Sequence, residues 1–336
     1  MTKKVRILAA ILVLVLGGGI AIWRHRSASP QATSDKTVWT LRQEWLPQMT
    51  FSGELIARRR GFYGLGMDVE VRPGGFENDP IKLVASGVDD FGVAGAERVL
   101  QANEHGASLV VVGVANQVSP TVFLALTDHG IRKPQDFAGH TVGVLSGSNT
   151  EVVYRALLAK AGVDRHAIRE IEISYDLLGF IKGSFDVLPA FVYDEPISLK
   201  KQGVPFVTID PQDYGVRVIG NVYFTTRRTL EAHGTAVSRF VQGLKLGWEA
   251  AFANPDEAMS VLAVVDPKLD LGKEKESLLV SKRYFVPDGR RLLAIDRSDW
   301  DREVQLLLSI GYLKEPTNLA GSLAPEIVEA AYKGAP

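Results

Sequence analysis

Residues that could carry covalent chemistry are scarce in this chain, whereas residues that could hold a small molecule recur at the ends of its expected strands. The 336 residues include no cysteine, which excludes disulfides, thiolate metal sites, a cysteine nucleophile and a lipid-modified cysteine. The histidines His25, His105, His129, His140, His166 and His233 are scattered without metal-ligand spacing. Neither a phosphate-binding P-loop nor a dinucleotide fingerprint occurs. With no identifiable nucleophile or acid/base set, no catalytic residue, metal or cofactor is expected.

Binding chemistry is better represented. Ser146-Gly147-Ser148-Asn149-Thr150-Glu151 falls between an expected strand and an expected helix, where free backbone N–H groups could hold a carboxylate, sulfonate or phosphate. Ser148 and Glu151 also have the spacing of a capping box, which would satisfy the same donors internally. Ala94-Gly95-Ala96 makes the equivalent joint earlier in the chain, so Gly95 is a further ligand-binding candidate, with a tight turn alone as the simpler account. Trp45 ends the first strand, either as an aromatic plane for a heteroaromatic ring or as a core residue, and Gln48 could bond the ring edge. Tyr193-Asp194-Glu195-Pro196 ends a strand and opens a helix, which brings Tyr193 or Glu195 near a cleft. A carboxylate there can accept from an exocyclic amine and a protonated ring nitrogen together, or simply sit at a helix start favoured by the dipole. Gln117, Asn221 and Tyr223 fall at or beside the places where the chain would cross between lobes.

The elements that must position these residues alternate in the α/β manner. Strands are expected at 38–43, 67–72, 91–94 and 108–114, with helices at 52–60, 79–85 and 96–103 between them. A second series follows, with strands at 141–145, 168–173, 185–190 and 206–209 and helices at 149–161, 176–182 and 195–202. Helices at 237–252, 256–264, 273–284 and 298–310 complete the chain. This alternation implies parallel sheets covered on both faces. The expected division is a first lobe of 37–120 and 227–336, a second lobe of 128–217, and hinge crossings at 121–127 and 218–226. With 46% hydrophobic and 23% charged residues, the chain has material for two separate cores. Arg58-Arg59-Arg60 before Gly61 reads as cations at a helix C-terminus, a structural role. Lys+Arg 38 against Asp+Glu 39 leaves a net charge of -1, so no field draws the chain to nucleic acid, and no such partner is expected.

Residues 1–26 read as a membrane anchor or signal peptide. Lys3, Lys4 and Arg6 precede an uncharged run over 7–23, closed by Arg24-His25-Arg26. The run is longer than a signal-peptide core and at the short end for a spanning helix, so cleavage and retention both stand. The basic N-terminus favours a cytoplasmic end and an extracytoplasmic body. Residues 27–36 are small and polar and read as a linker.

The succession Trp45-Leu46-Pro47, Gly61-Phe62-Tyr63, Pro73-Gly74-Gly75, Ala85-Ser86-Gly87, Phe91-Gly92-Val93, Pro134-Gln135-Asp136-Phe137-Ala138-Gly139, Thr141-Val142-Gly143-Val144 and Asp213-Tyr214-Gly215 resembles the substrate-binding proteins of ABC importers for nitrate, sulfonates and thiamine pyrimidine precursors. It is most similar to the pyrimidine-precursor branch, through Trp45, Pro47, Asp194-Glu195-Pro196 and Asp213-Tyr214-Gly215. The resemblance implies a type II periplasmic-binding-protein fold, two α/β lobes joined by two crossings with a helical C-terminal tail. It further implies capture of a small polar or heteroaromatic ligand, partnership with an ABC permease and ATPase, a monomer, and a periplasmic or extracytoplasmic location. A sulfonate, taurine or nitrate receptor and a ligand-sensing module are the alternatives. An enzyme like the fungal pyrimidine synthase is another, although that enzyme's cysteine-rich motif is absent.

Overall fold

The computed structural model describes residues 36–174 and 177–333. The expected anchor or signal segment lies outside them, as does the linker apart from Lys36. Among the described residues no helix is long and apolar enough to cross a membrane. From Val38 onward the chain forms one compact unit, built on two five-stranded sheets.

The first half runs β1 (Val38–Arg42), α1 (Ser52–Arg59), β2 (Asp68–Arg72), α2 (Pro80–Ala85), β3 (Phe91–Gly95), α3 (Ala96–Glu104) and β4 (Leu109–Val114). Next come β5 (Thr121–Leu126), β6 (Thr141–Val144), α4 (Asn149–Ala161), β7 (Arg169–Glu172), α5 (Leu177–Ile181), β8 (Val187–Phe191), α6 (Glu195–Lys201), β9 (Phe206–Ile209) and β10 (Asn221–Thr226). The rest is helical: α7 (Arg227–Ala232), α8 (Gly234–Ala253), α9 (Pro255–Val265), α10 (Leu271–Phe285), α11 (Arg297–Ser309), α12 (Leu319–Ser322) and α13 (Pro325–Lys333).

One sheet has the order β2-β1-β3-β10-β4 and the other β7-β6-β8-β5-β9. Strands β1 and β6 each pair in parallel with their two neighbours, while β10 and β5 run antiparallel to the strands on both sides. The sheets are therefore mixed and not parallel throughout. The reversed strand in each arrives from the other half of the molecule, so its direction is independent of the local β-α-β handedness.

The crossings also shift from their expected positions. Residues 121–127 and 218–226 are mostly strand: β5 and β10 are buried on both faces in sheet interiors. The chain instead passes between sheets over residues 115–120 and returns over 210–220.

Local chemistry explains most element ends. Ser148 caps α4 by accepting from the Glu151 amide, and Gly162 ends that helix in the left-handed region. Helix α1 ends in a Schellman-like turn, with Phe62 N–H on the Ala57 carbonyl and Gly61 at φ 66°. The arginines before it are structural, as expected. Arg58 pairs with Asp68 and Arg60 with Glu257, while Arg59 donates to the Ser260 hydroxyl. Helix α1 lies closely against α8 because Gly53 and Gly247 meet there. A Cβ on Gly53 would enter the Trp248 indole and one on Gly247 would strike the Gly53 carbonyl. That contact ties the loop after β1 to the C-terminal helices.

Candidate functional site

On the first lobe, the site begins where β1 stops. Two backbone N–H groups hold the following loop, Gly74 to the Trp45 carbonyl at 2.8 Å and Gly75 to the Glu44 carbonyl at 3.1 Å. Trp45 is half-buried and meets Phe76 edge-on, with ring centroids 5.0 Å apart; Phe76 itself is 83% exposed. The Glu44 carboxylate accepts from Asn221 Nδ2 at 2.8 Å and from the Gly95 amide, with Arg98 at 3.8 Å. Burial pushes the Glu44 carboxyl up, against the opposing pull of Arg98 and these hydrogen bonds. Arg98 is held in turn by Asp79 at 2.9 Å. Gly95 has no room for a side chain, since a Cβ would collide with the Glu97 carboxylate. Trp45, Gly95 and Asn221 thus gather around Glu44, with an aromatic plane, a carboxylate and an amide at one rim.

The corresponding turn on the second lobe is already filled. The Ser146 amide and hydroxyl bond Glu172, at 3.1 and 2.5 Å, and the Gly147 amide bonds Glu151 at 2.7 Å. Ser148 donates to the Leu145 carbonyl and contacts the buried Thr150 hydroxyl at 2.7 Å. Glu151 also pairs with Arg155. The expected anion cradle at 146–151 is therefore occupied by the chain's own carboxylates, and two negative side chains there repel an anion.

Beyond this turn, Glu195 opens α6 and accepts the Phe191 amide at 2.8 Å. Burial pushes its carboxyl to about 7, helped by Asp194 and opposed by that bond and by Lys273. It lines a cavity of about 30 Å3 with Leu145, Ile173, Ser174, Leu177, Leu188 and Pro189. The space is of water size. Tyr193 is buried, stacks on Phe191 at 5.8 Å and packs into the apolar cluster of the first lobe.

Two polar bridges show that these rims face each other. Asn149, at the start of α4, donates to Glu97, at the start of α3, over 2.8 Å. On the other flank Asp194 pairs with Lys273 of α10, beside Glu274, which accepts the Met49 amide at 2.6 Å. Gln48, half-buried and next to Met49, is thereby brought toward the Tyr193–Glu195 turn.

Three expected site residues are committed elsewhere. Tyr223 lies inside the first lobe, donating to Glu54 and accepting from Trp248 Nε1 at 2.7 Å, because alternate residues of an interior strand face its core. Gln117 uses Nε2 on the Phe285 and Arg291 carbonyls, at 2.6 and 2.7 Å, bracing the outward crossing. Asn149 spends its amide on Glu97 and the Ile219 carbonyl and its oxygen on Ser119. Conversely, sequence reading passed over Glu44, Glu97, Arg98 and Lys273. Only Glu44 carried a signal, its place beside Trp45. Among the described residues no cluster is arranged to hold a metal ion.

The model of the NMT1/THI5-like family matches residues 48–258. The formylaminopyrimidine-binding protein of Halalkalibacterium halodurans is 24% identical over 283 residues, which are 81% of this chain and 85% of that protein. The riboflavin-binding protein RibY of Chloroflexus aurantiacus is 23% identical over 321 residues, 90% of each. Among solved structures, the periplasmic aliphatic sulphonate binding protein SsuA from Escherichia coli superposes with a TM-score of 0.67 at 16% identity, covering 86% of this chain and 92% of that one. The desulfurization enzyme DSZB superposes at 0.64 and 17%, covering 88% and 99%, so the same fold also carries an enzyme. Two mixed sheets, facing rims and a family match over more than half the length lead to one assignment: the chain belongs to the NMT1/THI5-like family, on the two-lobed fold of periplasmic binding proteins.

Proposed function

We propose that this protein is the extracytoplasmic substrate-binding subunit of an ABC importer, and that it captures a small amine-bearing heteroaromatic of the thiamine-pyrimidine-precursor type between its lobes. The observation that carries this reading is the charge character of the two rims. Glu44 and Glu195 are carboxyl groups beside the aromatic rings of Trp45 and Tyr193, whereas the turn at 146–148 is occupied by Glu172 and Glu151. Carboxylates beside aromatic planes suit a ring with exocyclic amines. They disfavour a sulfonate or nitrate, which would have to displace two carboxylates from their amides. In this reading the protein returns its ligand unchanged, and a permease and an ATPase are its partners.

The discriminating experiment is a thermal-shift screen of the protein against formylaminopyrimidine, riboflavin, alkanesulfonates and nitrate, followed by mass measurement of the recovered ligand. A ligand that binds only the folded state raises the melting temperature, by an amount that grows with the logarithm of its concentration over its Kd. A shift with the pyrimidine, recovered at its original mass, supports the proposal. Stabilisation by sulfonates alone, or turnover of the ligand, overturns it.

A further inference from the structure

Where the lobes meet, two carboxyl groups are buried that the ligand reading leaves unused. Glu97 accepts from Asn149 through Oε2, and Glu303 of α11 accepts the Ile219 amide through Oε2 at 3.0 Å. The Oε1 atoms of both are buried and find no hydrogen-bond partner among the described residues. Asn149 joins four parts of the molecule: Glu97 on the first lobe, its own helix on the second, Ser119 on the outward crossing at 2.5 Å and Ile219 on the return crossing at 3.0 Å. All of its side-chain hydrogen-bonding atoms are engaged.

The charged and titratable surroundings oppose ionisation. Glu44 and Arg98 act on Glu97 from the first-lobe rim, Arg98 being the opposing cation, and Glu97 in turn acts on the Tyr312 hydroxyl that follows α11. Glu303 is faced by Glu97 and Asp299. On α4, Glu151 and Arg155 also act on the Tyr312 hydroxyl. Burial pushes Glu97 up to about 7 and Glu303 up to about 8.

We propose that Glu97 and Asn149 are the two halves of a proton-linked latch on lobe closure, with Glu303 as the second acid of the same device. Rotation about the crossings that parts α3 from α4 withdraws the Asn149 amide from Glu97 and admits water to the seam. An ionised carboxylate is better served by that water than by one amide in a dry seam, whereas a neutral carboxyl loses little by staying buried. The closed seam therefore holds protons and the open one releases them. Because the pKa is raised in the closed form, closure is fully favoured below the hydrated value of about 4.3. It weakens as pH rises toward about 7 for Glu97 and about 8 for Glu303, and is constant above. The inference rests on the two-lobed binding reading only in requiring that the lobes move.

The absence of native cysteine makes the test direct. Spin labels at Glu77→Cys and Leu178→Cys, exposed positions on the two lobes, report the interlobe distance in the full chain without ligand. Between pH 5.5 and 8.5 the longer-distance population should grow relative to the shorter by up to about tenfold per pH unit for each proton released. The labelled Glu97→Gln/Glu303→Gln variant should keep the shorter distance throughout. A pH-independent distance in the parent, or an unchanged pH response in the double variant, overturns the latch. Should the double variant fail to fold, Asn149→Ala replaces it: a longer distance at every pH supports the latch, and a retained pH response overturns it. Because no ligand is present, these outcomes stand apart from any failure of the ligand screen.

Discussion

The two lobes share one strand order and both close strand-to-helix turns with their own acids, but only the first places such an acid next to Trp45 at the rim. In each, the chain leaves the sheet beside the cleft and turns into a helix. In the first lobe the joint at Gly95 is stripped of its side chain, and the amide of that glycine supports Glu44, a carboxylate next to Trp45 at the rim. In the second the joint at 146–148 is saturated by the lobe's own acids, Glu172 and Glu151. The two turns thus differ in the acid each one anchors and in what lies beside it, not in donors left free. In the proposed binding reading the first-lobe rim and the Tyr193–Glu195 turn supply the ligand's partners, and the 146–148 turn does not.

The sharpest way to break this contrast is at Glu44. Glu44→Ala should weaken binding of the pyrimidine by about 2–5 kcal/mol, the scale for truncating a buried charged partner, and calorimetric titration measures it. Affinity within threefold of the parent would move recognition away from the first-lobe rim.

Next in size is Gly95→Ala. The added methyl must displace the Glu97 carboxylate in a packed joint, at a cost of about 1–3 kcal/mol in stability. Chemical denaturation would register it as a lower midpoint with an unchanged slope, and an unaltered midpoint would show that the joint has slack. Gly147, at φ 73° with open space around it, offers the control: alanine there should cost only about 1 kcal/mol, from backbone conformation alone.

The third test uses pH. The Glu195 carboxyl is pushed up to about 7 in the folded protein, so its contribution is fully present below the unfolded value of about 4.3 and is lost as pH rises toward 7. Parent stability should therefore fall across that window with a slope of up to about 1.4 kcal/mol per pH unit from this group. Glu195→Gln should flatten it, and identical pH profiles would remove Glu195 as a strained buried acid. Smallest is Glu172→Gln, which keeps the shape and an acceptor at the 146 turn and should change ligand affinity by less than about 1 kcal/mol. A larger loss would return that turn to the site.

Much of the architecture was legible from local signals. Helix α4 spans Asn149–Ala161, the range expected, and it starts after the Ser148 that has capping-box spacing to Glu151. The crossings and the sheet direction were less legible for a definite reason. An apolar strand such as β5 looks the same in sequence whether it bridges two lobes or fills the middle of one, and its partners β8 and β9 lie some 60–85 residues later. The site divided along the same line. Trp45 and Glu195 announce themselves by type and by position at an element end. The role of Glu44 depends on Asn221, 177 positions away, and that of Asn149 on Glu97 and Ile219. Nothing in the neighbourhood of Tyr223 distinguishes a core-facing ring from a cleft-facing one.

The strand exchanged into each sheet also orders the birth of the molecule. The second sheet is complete within one unbroken stretch, β5 to β9, and can assemble as soon as that stretch has emerged from the ribosome. The first sheet cannot. Until β10 arrives, β3 and β4 flank a gap one strand wide, and the helix that braces α1 comes later still. A chain made from its N-terminus onward therefore carries an unfinished first lobe until more than 220 residues have been added. That delay leaves the leading half pliable for longer and makes β10 the last slat that lets the lobe set.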